Sequence, residues 1–174
     1  MIIDCLSKAI FMYIIYLVVS LTLFGVPKSL SMTYYLFKER VNNLKYLFSA
    51  MTVMMVVFMT PCWLELSMNS PFQFTAFLSM IGLLFVGVTP TFNEVKMNSI
   101  IHNVAAYMCA TFAILWIVLV TPYWYVLLII GVVVAALAYV TKTWKTAYTF
   151  WLENVVLFST FISMLAYYET YFKV

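Results

Sequence analysis

AIFMYIIYLVVSLTLFGVP, residues 9–27, carries no charged side chain and is about as long as the ~20 residues a helix needs to cross ~30 Å of hydrocarbon. Asp4 stands beside Lys8 ahead of it and no small-x-small cleavage pattern follows, which favours a retained helix over a signal peptide. Gly25 and Pro27 end the run, because proline disfavours helical geometry in the residue before it. Working outward, apolar runs of the same kind occupy 46–67, 74–89, 98–121, 124–141 and 150–168, and turns such as 68–73 leave no room for a further domain. The pattern predicts an all-α polytopic transmembrane bundle of six helices, formed as a single integral membrane domain over 1–174.

Composition points the same way. Hydrophobic residues make up 66% of the chain and charged ones 9%, whereas soluble domains are about a quarter charged. In such a chain the placement of basic residues sets orientation rather than advertising a nucleic-acid partner, so no nucleic acid is expected. Cys5, Cys62 and Cys109 show no C-x-x-C spacing and His102 is the single histidine, so neither a metal site nor a cofactor is expected. A Cys5–Cys62 bridge stays open, with buried thiols the preferred reading.

Six crossings put both termini on one face. The loops after the first, third and fifth runs hold Lys28, Lys38, Arg40, Lys45, Lys96, Lys142 and Lys145, against Lys8 and Lys173 on the other face. That asymmetry places the three loops in the cytoplasm and both termini outside a plasma or bacterial inner membrane. The first loop, KSLSMTYYLFKERVNNLK (28–45), is the most basic, and its tyrosines fit either a short interfacial helix or a solvated loop. Pro61 is expected to kink or end the second run. Gly131, Ala135, Ala136 and Ala138 offer close contact within the fifth, which is expected to form a hairpin with the fourth.

The polar side chains collect at the cytoplasmic ends of the runs: Asn93, Glu94, Asn98, Ser99, His102, Asn103, Glu153 and Asn154. Asn98 and Ser99 precede His102 by four and three residues, so they share its helix face and can orient the imidazole. His102 and Glu153 each lie about one turn inside a helix. An unpaired ion at that depth costs roughly 3 kcal/mol, so the two are predicted to face each other, with Asn98 or Asn103 completing the hydrogen bonding. A structural tie between helix ends is the competing reading of the same pair. A Ser-His-acid triad is disfavoured, since Ser99 sits where a cap would.

Ser29-x-Ser31, the pair Tyr34-Tyr35, Arg40, Pro90-Thr91 and His102-Asn103-Val104-Ala105-Ala106 resemble a group of uncharacterised bacterial multi-pass membrane proteins over roughly the first four runs. The His-Asn-x-x-Ala helix start is also similar to that of six-helix proteins of the damage-regulated autophagy modulator type. The resemblance implies a shared polar set of Ser29, Ser31, Tyr34, Tyr35, Arg40, Thr91 and His102 on the cytoplasmic side, and no reaction.

The leading functional expectation is a cytoplasmic-side polar pocket that takes a lipid headgroup or small polar ligand. Its candidate residues are His102, Glu153, Asn98, Asn103, Ser99, Asn154, Glu94, Tyr34, Tyr35 and Arg40. No catalytic residue or enzymatic activity is assigned. A small transporter or proton-coupled channel, and a structural or assembly subunit, are the alternatives. Membrane lipid is the expected partner, with a second copy or another membrane protein left open.

Overall fold

A computed structural model describes residues 2–171, and Lys173 of the charge count lies outside them. The described residues form seven α-helices and no strand: α1 (Ile2–Phe24), α2 (Thr33–Arg40), α3 (Leu47–Leu66), α4 (Gln73–Val88), α5 (Lys96–Val120), α6 (Tyr125–Val140) and α7 (Tyr148–Tyr171). A 3₁₀ turn at Asn42–Leu44 leads into α3. The all-α class stands, and the expected count of six becomes seven because the first basic loop folds. Its helix α2 is not a solvated loop, since Phe37 is fully buried and meets the Phe24 ring edge-on at 4.8 Å.

Four segments are long and apolar enough to cross a membrane: α1, the stretch Asn42–Leu66 that contains α3, α5 and α7. Helices α4 and α6 are apolar but have 16 residues each, about 24 Å at 1.5 Å per residue. Apolar side chains also cover much of the outside, including Phe11 and Val18 of α1 and Val132 of α6. An exterior of that kind suits lipid rather than water. Helix α1 begins earlier than the apolar run because Asp4 and Lys8, one turn apart, pair at 2.7 Å within the helix. Pro61 does not end α3, which continues to Leu66. Membrane helices tolerate such a proline when neighbouring groups adjust to the missing backbone bond.

Helices α1, α3, α4, α5 and α7 close into a ring, each touching the next, and α3 also meets α7 across it. The closest approach is made by α4. A Cβ on Gly82 would sit 2.7 Å from the Ala105 carbonyl oxygen and the Cys109 nitrogen of α5, and one on Gly87 would meet Thr52 of α3. Ser79 donates to the Cys109 carbonyl at 2.9 Å in the same seam. Small residues let membrane helices approach this closely.

Helix α6 stands outside the ring and packs on α7. The expected hairpin between 98–121 and 124–141 is therefore corrected, and Gly131 has nothing within 4 Å of where its Cβ would be. Gly131, Ala135 and Ala138 border a groove toward α7 instead of a seam with α5.

Candidate functional site

Three connections meet at one end of the ring. Lys38 of α2 pairs with Glu94, between α4 and α5, at 2.6 Å. Tyr35 accepts a hydrogen bond from the Asn93 backbone N–H at 2.8 Å, and its ring lies edge-on to Phe92 at 5.4 Å. The Phe150 N–H at the start of α7 donates to the Lys28 carbonyl at 3.1 Å. Arg40 returns along α2 to donate to the Leu23 carbonyl, with its guanidinium 5.8 Å from the Phe24 ring centre. The Glu94 carboxylate beside Lys38 holds that ammonium above its usual pKa, and burial raises the phenols of Tyr34 and Tyr35.

The expected His102–Glu153 pair does not form; the two residues occupy separate environments. His102 is buried in the second turn of α5, stacked on Phe92 with ring centres 4.3 Å apart and planes 16° from parallel. Its Nδ1 lies 3.3 Å from Thr89 Oγ1, and that hydroxyl donates to the Phe85 carbonyl at 2.6 Å. A hydroxyl has one hydrogen to give, so His102 Nδ1 is the donor to Thr89. Asn98 bonds Thr91 at 2.7 Å, Asn103 is exposed, and Ser99 has its backbone N–H on the Val95 carbonyl. None of these three completes a polar contact between His102 and Glu153.

Glu153 enters the ring instead. Its Oε2 accepts the Leu30 backbone N–H at 2.7 Å, and Oε1 has no protein hydrogen-bond partner among the described residues. The carboxylate borders a cavity of about 80 Å³ walled by Phe48, Met51 and Met55 of α3, Leu83 and Val86 of α4, Cys109 of α5 and Leu157 of α7. It is the only carboxyl group among the described residues on that wall. Its neighbour Asn154 faces away, accepting from Tyr13 of α1 at 2.8 Å and donating to the Phe150 carbonyl at 2.7 Å. Tyr13 and Tyr16 both sit on the buried face of α1, and Tyr16 shares a short hydrogen bond with Thr33, which in turn bonds the Leu30 carbonyl.

A second set of contacts therefore fixes Leu30, and sequence reasoning missed it. Ser29 and Ser31 lie 3.1 Å apart and are buried, while the Met32 N–H donates to Ser29. The Ser-x-Ser spacing was a signal that this segment turns back on itself. The donor that meets Glu153 is a main-chain amide, which leaves no signature in a sequence.

Cys5, Cys62 and Cys109 are free thiols, and among the described residues no group of three or more His, Cys, Asp or Glu could hold a metal ion. A carboxylate with one anchored and one open oxygen can accept a hydrogen bond or hold a cation at the open oxygen. No family model, curated protein or solved structure matches this chain.

Proposed function

We propose that the chain is an integral membrane protein that binds the donor-bearing end of a small, mainly apolar molecule at Glu153. The observation that carries this is the Glu153 carboxylate, with one oxygen unpaired, on a mainly apolar cavity whose other hydroxyl, Thr52, is spent on the Phe48 and Ser49 carbonyls. A carboxylate at membrane depth is costly without a partner, and the Leu30 amide satisfies one oxygen only. An ammonium or hydroxyl on an apolar stem would supply the second partner while its stem meets methionine, leucine and valine side chains. The volume of about 80 Å³ suits the head of such a molecule.

On this reading α4 and α6 also cross the bilayer, the Lys38, Lys96 and Lys142 loops face the cytoplasm, and both termini face outward. Kinship with the six-helix group that the chain resembles belongs to the same proposal. What supports it is that Ser29, Ser31, Tyr34, Tyr35, Arg40, Thr91 and His102 fall at the end of the bundle where the basic loops meet.

The test is equilibrium binding of n-octylamine, 1-octanol and octane to the purified full chain in nanodiscs. Binding of the amine and alcohol above octane, weakened about tenfold or more by Glu153→Gln, is the expected result, since a charge-assisted hydrogen bond contributes roughly 1.5–3 kcal/mol. Glutamine still offers an oxygen to the Leu30 N–H, so the anchor survives. Equal binding of the three probes, or binding indifferent to Glu153→Gln, overturns the reading.

A further inference from the structure

Outside the ring, α6 and α7 enclose a groove of about 390 Å³ that has no part in the Glu153 cavity. Gly131, Ala135 and Ala138 recess its α6 wall, and Trp144, Tyr148 and Trp151 stand at the basic-loop end. The Trp151 indole N–H donates to Thr143 at 3.0 Å, which ties that aromatic end to the connecting segment 141–147. The segment contains Lys142 and Lys145 and no acid. Lys145 Nζ lies 5.1 Å above the Trp144 ring, so a cation stands directly over a groove residue. The acid nearest in sequence, Glu153, is turned into the ring and bonded to Leu30.

The termination of α6 adds an independent observation. Lys142 has φ 57°, the left-handed conformation that glycine adopts with least cost, and the Thr143 N–H reaches back to the Ala138 carbonyl at 3.0 Å. Lysine occupies the helix-stop position that backbone geometry would give to glycine.

We propose that this groove is a binding site for an anionic phospholipid, with an acyl chain along α6 between Gly131 and Ala138 and the phosphate between Lys142 and Lys145. The groove supplies apolar walls, the aromatic residues stand at headgroup level, and the two lysines supply the complementary charge. A purely apolar transmembrane helix would fit the walls but would bring no negative charge to the two lysines.

Native mass spectrometry of the full chain, with 1-palmitoyl-2-oleoyl phosphatidylglycerol and the phosphatidylcholine of the same chains as probes, tests the site. Each lysine near a membrane surface contributes about fivefold, so the glycerol lipid is expected to be retained about 25-fold over the choline lipid. Lys142→Gly with Lys145→Gln abolishes that preference, and glycine suits the backbone at 142, so unfolding does not explain the loss. Gly131→Leu with Ala135→Leu reduces retention of both lipids by filling the groove. Lys45→Gln with Lys96→Gln and Glu153→Gln each leave the preference in place, which separates this site from general surface charge and from the Glu153 cavity. Equal retention of the two lipids by the unaltered protein, a preference that survives the Lys142/Lys145 change, or a second copy of the chain excluding lipid overturns the proposal.

Discussion

Glu153 and the Leu30 amide, 123 residues apart in the chain, meet at 2.7 Å and join the start of α7 to the segment that precedes α2. Replacing Glu153 with alanine leaves the Leu30 N–H without its partner and should cost about 1–3 kcal/mol. Glutamine should recover most of that. Thermal unfolding in detergent distinguishes them, and equal losses for alanine and glutamine would mean that the hydrogen bond contributes nothing.

His102 and Glu153 should behave as independent sites. His102→Gln removes the stack on Phe92 and weakens the bond to Thr89, while Glu153→Gln alters the cavity. Their stability effects are expected to add within about 0.5 kcal/mol in a double-mutant cycle, because they share no hydrogen-bond partner. A coupling well above 1 kcal/mol would show that the two environments communicate.

The glycines separate two kinds of helix contact. Gly82→Ala places a methyl group 2.7 Å from α5 backbone atoms and should destabilise by about 1–3 kcal/mol, because backbone cannot swing aside as a side chain can. At Gly131 the same change meets open space and should stabilise by up to about 1 kcal/mol through helix propensity. Denaturant titrations of the two variants should shift in opposite directions.

Alkali should loosen α2 from the segment beside Glu94. The folded protein holds Lys38, Tyr34 and Tyr35 above their ordinary pKa values, so each stabilises fully below its unfolded pKa of about 10 and loses that contribution as pH rises through the folded value. A nitroxide on a cysteine at position 93 keeps the backbone N–H that Tyr35 accepts, and its mobility should rise above about pH 10. Mobility unchanged into strong alkali would exclude these groups as the fastening. Salt at about 1 M should act in the same direction at neutral pH by screening the exposed Lys38–Glu94 pair.

The apolar runs were legible because transfer into hydrocarbon depends on composition and length, both of which a sequence displays. Each expected run corresponds to an observed helix, with ends shifted by one to three residues except in α1, which starts seven residues before the apolar run. The azimuth was much less legible. A helix surrounded by apolar material gives no strong facial pattern, so the depths of His102 and Glu153 could be matched while their directions could not. The same uncertainty hid which small residues make contact: Gly131 and Ala135 announce themselves as a stripe, yet the tight seam uses Ser79 and Gly82. Helix α2 was hidden for a different reason. Its lysine, glutamate and arginine obscure a buried face made by Thr33, Tyr34 and Phe37.

Helix α6 adds little to the ring, yet the route of the chain depends on it. The end of α5 lies away from the basic loops, where Tyr123 bonds Thr170 at 2.6 Å, whereas α7 must start beside Lys28. A return leg is needed between those ends, and its parity matters more than its packing: without it, α7 would enter the ring reversed and Glu153 would lie at the wrong end. Any apolar helix of similar reach could serve as that conductor. The outer surface of α6 is thereby released from the demands of the core, and its side chains can vary without altering the ring or the orientation of Glu153.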